Sequence, residues 1–386
     1  MATALKRNET VKKTVRKSKP VEEKDARKLE KKSADDLGFE ISTGVPDSEY
    51  FTFENRSLNA LFSTMFGTPG IMKGKIIEIA GKSDVGKTAL STTLTAYAQA
   101  QGVRGFHIDA EKSLTKEFAS HLKLDTQKLL LVRPDHGEGA MMGLRKVVRE
   151  YGGMFGVLDS STACLPKDET NDKGGGMGAQ ARMMSQEMKK VDKVIDKAKA
   201  ILIIISQIKT KPGVTFGNPD YVSSGGSAVG FHSRIRMIVS KVEVEKDEST
   251  KQEVGFTVRA TITKNHTGPK RTTPFDLRVD HMFRIDLAKT ALAWAKQFKL
   301  LNKEAKEVCG IKLDKTFDKD IEAALSGKEY LVFEAVDALF KAREAGGGNT
   351  FTEQDDSTDE LAGTDDEGFN EIKVGDDELE NDDGDL

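Results

Sequence analysis

Short apolar runs rich in β-branched residues alternate along the chain with longer stretches whose apolar positions recur at helical spacing. The run Lys75-Ile-Ile-Glu-Ile-Ala80 predicts a strand that feeds directly into a glycine-bearing loop, after which residues 89–101 have helical composition. Residues 105–109, 129–133, 155–159 and 200–206 predict further strands, with helices over 138–150 and 182–198 between them. Parallel strands need crossover connections, so this alternation predicts an α/β fold with a mainly parallel sheet covered by helices on both faces. Residues 235–244, a charged turn at 245–251 and residues 255–264 read as an antiparallel hairpin that extends the sheet.

Two stretches break the pattern. Residues 167–178 contain three consecutive glycines, and residues 209–226 contain Pro212, Pro219 and several glycines. Each follows a strand end, where an open α/β sheet presents its ligands, and the glycine content predicts mobile loops. Beyond about residue 285, helical patterning around Leu287, Leu292, Trp294, Phe298 and Leu301, and again over 321–340, predicts a small C-terminal helical domain with Trp294 and its neighbouring phenylalanines in the core. From Gly346 onward apolar content is low, and the tail is expected to be disordered.

Composition sharpens this picture. At 386 residues and 37% hydrophobic content the chain can bury a substantial core, organised as one large domain with smaller appendages. The formal charge of −3 conceals an asymmetry: the tail holds about sixteen acidic residues and one lysine, so it carries about −15 and leaves the rest near +12. The body is therefore a candidate binder of polyanions. Between Lys6 and Lys32 basic clusters alternate with Glu22, Glu23, Asp25 and Glu30, which suits either a charged solvent-facing arm or a segment contacting a subunit or DNA. No apolar stretch is long enough to span a bilayer, and the N-terminus has no signal-peptide core. Cys164 and Cys309 offer neither a disulfide framework nor a metal cluster, which fits a reduced cytoplasm.

The chemistry concentrates at strand ends. Gly81-Lys82-Ser83-Asp84-Val85-Gly86-Lys87-Thr88 matches the phosphate-loop pattern in full, between a strand and a helix. Its glycines let backbone amides approach phosphates, Lys87 supplies a cation to the β and γ oxygens, and the Thr88 hydroxyl can coordinate Mg²⁺. Asp84 suits such a loop only if it points away from the phosphates. Asp159 closes an apolar strand and is followed by Ser160, the placement expected of a carboxylate that holds the Mg²⁺ water shell, although an N-cap role also fits. Glu111 follows a separate strand, where it either orients and deprotonates an attacking water or is a surface glutamate. Gln207 ends the 201–206 run, and its uncharged amide is placed to sense a γ-phosphate while tethered to the second glycine-rich stretch.

Phe106-His-Ile-Asp-Ala-Glu111, Leu158-Asp-Ser160, Met177-Gly-Ala-Gln-Ala-Arg-Met-Met-Ser-Gln186, Ser206-Gln-Ile208 and Gly213-Val-Thr-Phe-Gly-Asn-Pro219, followed by Gly225-Gly226, together resemble the bacterial and bacteriophage RecA recombinases, in the same order. The resemblance spans roughly residues 41–287. With the patterning and charge above, this gives a core over 41–286, preceded by a basic arm at 1–40 that resembles the family least, and followed by a small domain at 287–345 and an acidic tail at 346–386. Carried over by position, the family's roles fall on Lys87 and Thr88 for phosphate and metal, Asp159 for the metal shell, Glu111 for water activation, Gln207 for coupling and Phe118 for stacking on adenine. The glycine-rich stretches correspond to the family's DNA-binding loops. They imply backbone contacts from Arg182, Ser185, Lys189, Lys209, Lys211, Gly225 and Gly226, with Met177, Pro212 and Phe216 as wedges between bases.

The departures are specific. Thr115 stands where the family commonly has an acidic adenine contact, and Pro212 where it commonly has a branched aliphatic. Lys264-Asn-His266 aligns with a lysine pair that resembling proteins reach across the filament interface to a neighbour's γ-phosphate, so one trans cation has become a histidine. The resemblance implies ATP and Mg²⁺ as cofactors, single-stranded DNA and a homologous duplex as partners, and a homo-oligomeric helical filament in recombination and repair. Loader or single-strand-binding proteins would engage the acidic tail. A ring-shaped helicase-like ATPase shares the nucleotide core but lacks the paired loops, and a non-catalytic ATP-gated scaffold would follow if Glu111 were not catalytic.

Overall fold

The computed structural model describes residues 47–170, 178–210, 221–223, 227–247 and 249–346. The basic arm and everything beyond Gly346 fall outside these ranges. The first elements are a short antiparallel pair, β1 (Tyr50–Phe51) with β2 (Ile71–Met72), enclosing the helix α1 (Arg56–Phe66). The Asn55 side chain caps α1 by accepting from the Leu58 amide, and Gly67 at φ 65 ends it in the left-handed region. Leu58, Leu61, Phe62, Met65 and Phe66 recur at helical spacing and are all buried, a signal overlooked in the strand-led reading above.

The large sheet follows the predicted alternation: β3 (Lys75–Gly81), α2 (Lys87–Ala100), β4 (Gly105–Asp109), α3 (Lys116–His121), β5 (Leu129–Val132), α4 (Gly137–Tyr151), β6 (Phe155–Asp159), α5 (Lys167–Thr170), α6 (Ala179–Lys197) and β7 (Ile201–Thr210). Then come β8 (Tyr221–Ser223), α7 (Ala228–His232), β9 (Ile235–Lys246), β10 (Glu253–Asn265) and β11 (Phe275–Asp280). The strand order is β11-β10-β9-β3-β7-β6-β4-β5, parallel from β9 to β5, with β10 and β11 antiparallel. Met141, Leu144, Met184, Met188 and Val191 of α4 and α6 cover one face over Ile108, Leu158, Leu202 and Ile204.

Gly156, which on propensity alone weakens its strand, is required by packing. A Cβ there would lie 2.2 Å from the Phe106 carbonyl oxygen and 2.5 Å from its ring. Both predicted glycine-rich loops are shorter than expected. Lys167–Thr170 is helical, and β7 continues to Thr210, where β8 returns antiparallel against Ile208–Thr210. The backbone groups of these residues are paired in a ribbon rather than left as loop.

The C-terminal region holds α8 (Leu287–Gln297), three short strands β12 (Leu301–Asn302), β13 (Glu307–Val308) and β14 (Ile311–Lys312), then α9 (Asp318–Leu325) and α10 (Tyr330–Ala345). The small sheet was not foreseen, because two-residue strands leave no periodicity to read. Trp294 is fully buried, packs tilted against Phe275 and edge-on against Phe333, and donates its indole N–H to the Asp276 carbonyl at 2.9 Å. Buried Arg271 bonds Asp337 at 2.7 Å and Glu344 at 3.0 Å, tying α10 to the segment before β11. No helix among the described residues is long and apolar enough to cross a membrane.

Candidate nucleotide site

Strand register brings the candidate residues to one end of the sheet. Gly81 of β3 stands opposite Gln207 of β7, and Asp109 of β4 opposite Asp159 of β6. The four strand ends therefore open side by side, the position at which an open parallel sheet receives a ligand. A cleft of about 270 Å³ lies there, bordered by the phosphate loop, Glu111, Phe118, Asp159 and Gln207.

The loop's glycines each answer a local demand. A Cβ on Gly81 would meet the Val239 carbonyl at 2.5 Å, and Gly86 turns the chain at φ 82 into α2. Gly86 brings no side-chain cap, so the first amides of this 14-residue helix remain available to an anion. Val85 is buried beneath the loop, whereas Lys82, Ser83 and Asp84 are exposed. Asp84 borders the cleft at φ 61, and its charge slightly offsets the lowering of the Lys87 pKa by burial, so it does not point wholly away.

Lys87 is buried, and its Nζ donates to the Lys82 carbonyl at 2.5 Å. Burial depresses its pKa, opposed by the charges of Asp159, Glu111 and Asp84. The Thr88 hydroxyl donates to Asp159 Oδ2 at 2.7 Å. Burial raises the Asp159 pKa to about 6, reinforced by Glu111 and Asp109 and opposed by the Thr88 hydrogen bond and Lys87. A hydroxyl and a desolvated carboxylate beside phosphate-binding amides form an oxygen donor set that fits Mg²⁺, which keeps much of its water and needs few protein ligands. The described residues hold no cluster of three or more His, Cys, Asp or Glu suited to a metal, so the fit rests on this pair together with phosphate oxygens.

Glu111 accepts from the Ser160 hydroxyl at 2.5 Å, and its amide donates to the Asp159 carbonyl at 3.2 Å. Its carboxylate thus borders the cleft from a second strand end, beside the β6 end that carries Asp159. The Gln207 backbone N–H donates to Thr162 Oγ1 at 3.1 Å, which fixes the residue where β7 leaves the core and leaves its side-chain amide out of this bond. Thr115 accepts from the Phe118 amide at 3.1 Å and caps α3, so its hydroxyl oxygen is engaged in holding the helix that presents Phe118.

Phe283 also lines the cleft, against Phe256, and was missed by sequence reasoning. It sits in a turn at φ 63, outside any periodic run, and only the fold returns it to the phosphate loop. Lys264 and His266 do not border the cleft within one chain. Lys264 Nζ donates to the carbonyls of Gly230 and Phe231 at 2.8 Å each, while His266 is exposed and its amide donates to the Arg234 carbonyl.

Arg182, Ser185 and Lys189 lie exposed on one face of α6, from its first turn to its middle. Lys209 is on β7, whose ribbon with β8 leads out from Gln207. Met177, Lys211, Pro212, Phe216, Gly225 and Gly226 lie outside the described residues.

A family model described as the RecA N-terminal domain matches residues 48–283. Protein RecA of Caldanaerobacter subterraneus is 38% identical over 205 residues, which cover 53% of this chain and 59% of that relative. Protein RecA of Symbiobacterium thermophilum is 38% identical over 53% of this chain and 58% of its own, and that of Mycoplasma genitalium 32% identical over 59% and 66%. The matched span thus covers about three fifths of the length of these relatives.

Proposed function

The chain belongs to the RecA family, and from that premise we propose that it is a DNA-dependent ATPase that forms filaments on single-stranded DNA, pairs it with a homologous duplex and exchanges strands. The observation that supports this reading best is the position of Gln207. It shares a cleft with Lys87, Thr88, Asp159 and Glu111, and its strand runs on into the ribbon that carries the second glycine-rich stretch. One strand thereby links the phosphate end of the site to a segment rich in glycine and lysine, as coupling between nucleotide state and DNA requires.

In this reading ATP lies with its phosphates on the amides of residues 81–88 and the Lys87 ammonium, and its base beside Phe118 and Phe283. Mg²⁺ bound through Thr88 and Asp159 would neutralise charge on the β and γ oxygens. Glu111 orients a water for in-line attack on the γ-phosphorus and accepts its proton at Oε1 or Oε2, the Ser160 hydroxyl holding the carboxylate in place. The Gln207 amide reports whether the γ-phosphate is present. Lys264 and His266 act on a neighbouring subunit's nucleotide, which agrees with their lying away from the cleft of their own chain. The exposed cations of α6, together with Lys209 of the β7–β8 ribbon, hold the DNA backbone, and base pairing supplies the specificity.

Electron microscopy with single-stranded DNA and a non-hydrolysable ATP analogue, combined with a strand-exchange assay, tests the proposal. Helical filaments and joint molecules are expected. Closed rings would favour a helicase-like ATPase, and filaments without exchange would favour an ATP-gated scaffold.

A further inference from the structure

The loop from Asp109 to Phe118 carries two parts of the candidate site at its two ends, Glu111 and the base-facing Phe118, and a residue outside the cleft holds it. Asp109 ends β4 fully buried, and its carboxylate accepts from the Ser113 amide at 3.0 Å and the Leu114 amide at 3.3 Å. Arg133, just past the end of β5, donates Nε to Asp109 Oδ2 at 3.1 Å and Nη2 to the Leu114 carbonyl at 2.6 Å. One guanidinium thus straddles the loop, engaging the carboxylate at its base and a carbonyl in its second half. Leu114 is itself buried against Ala119, and the next residue, Thr115, caps the helix that bears Phe118.

The segment that follows Arg133 is tied to the segment after β6. The Gly137 amide donates to the Leu165 carbonyl at 2.6 Å, and the Lys167 amide donates to Glu138 Oε2 at 3.0 Å. A Cβ on Gly137 would meet the Cys164 carbonyl oxygen at 2.9 Å, so the start of α4 lies close against the segment after β6. Two titratable groups interact electrostatically with the clamp: His107, buried on β4 with its pKa depressed to about 4 by burial, feels both Asp109 and Arg133, and Asp159 feels Asp109. A second link, Lys112 to Asp135 at 3.1 Å, is exposed at both ends and adds little.

We propose that Arg133 is a positioning residue of the nucleotide site, bridging Asp109 and the Leu114 carbonyl so that one contact sets the carboxylate of Glu111 and the ring of Phe118 relative to the phosphate loop. The proposal rests on the nucleotide reading of the cleft. Without the guanidinium, Asp109 is a buried charge that has lost its cationic partner, and the Leu114 carbonyl loses its side-chain donor. The loop then relaxes at both functional ends. Misplacement of reacting groups by a fraction of an ångström to one ångström costs on the order of tenfold to hundredfold in rate.

The test compares the parent with Arg133→Ala and Arg133→Lys in three measurements: affinity for a fluorescent adenine nucleotide, kcat and KM for ATP with single-stranded DNA, and the denaturant unfolding midpoint. Arg133→Ala is expected to weaken nucleotide binding and to lower kcat, each by on the order of tenfold. Arg133→Lys restores a cation beside Asp109 but lacks the fork that also reaches Leu114, so it recovers kcat more than affinity. That split is the signature of positioning. Affinity and kcat of Arg133→Ala within twofold of the parent would overturn the proposal, as would losses in both variants that merely track the folded fraction. If Arg133→Ala does not fold, the split or its absence in Arg133→Lys decides. A parent that binds the nucleotide but shows no DNA-stimulated turnover would defeat the recombinase reading instead, and the affinity measurements would still judge the clamp.

Discussion

Lys87 and Glu111 face one cleft from two different strand ends, which separates their expected effects. Lys87→Ala removes the phosphate cation and should weaken nucleotide-dependent assembly on DNA. Glu111→Gln keeps the shape and should leave ATP-dependent DNA binding intact while lowering turnover by on the order of 10²-fold or more; hydrolysis at the parent rate with DNA present would remove Glu111 from catalysis. Asp159 makes a further prediction through pH. Its pKa, raised to about 6 from 3.8, gives a contribution to stability that is fully present below about 3.8 and lost as pH rises through about 6. Asp159→Asn should therefore gain stability relative to the parent between about pH 4 and 7, by no more than about 3 kcal/mol, when Mg²⁺ and nucleotide are left out. His107, depressed to about 4, acts in the opposite sense over an overlapping window, its contribution being lost as pH falls, but it is common to both proteins and cancels in the difference. Thermal melts across this range check the sign, and a pH-independent difference would refute it. Both carboxylates were legible as candidates from their places after apolar runs. The burial that perturbs Asp159 was not, because it depends on α2 and β4 packing beside β6.

At the scale of elements, β6 shows how packing overrides propensity. Gly156 is poor strand former by composition, yet the Phe106 ring and carbonyl occupy the space a side chain would need. Gly156→Ala should overpack this contact and lower stability by about 1–3 kcal/mol, read from the denaturant midpoint; an unchanged midpoint would mean that the neighbouring strand yields freely. The β7–β8 ribbon shows the reverse, secondary structure extending into a stretch whose glycines and prolines predict loop. Lys209 on this ribbon and Lys211, outside the described residues, remain candidates for DNA. Neutralising Lys209 and Lys211 together should flatten the log-affinity versus log-salt slope on single-stranded DNA by roughly 0.7 per lost contact, and an unaltered slope would exclude both from the interface.

For the whole molecule the dominant feature is charge division. A body near +12 and a tail of about −15 predict, from charge alone, that the tail competes with DNA. Truncation before Asn349 should speed uptake of duplex DNA and reduce the Mg²⁺ required for activity, since free Mg²⁺ screens the tail. Superimposable Mg²⁺ titrations for the intact and truncated proteins would assign the tail to a protein partner instead.

From the sequence alone came the phosphate loop, the strand–helix alternation and the carboxylates at strand ends, because each is a local pattern within a few residues. Helical spacing likewise marked α1, although the strand-led reading passed over it. What only the tertiary structure decided is which distant groups meet: Gly81 beside Gln207, Asp109 beside Asp159, Phe283 at the phosphate cleft, and Arg133 across the Asp109 loop. These depend on strand order and register, which arise from long-range packing of two sheet faces that no short window of residues contains.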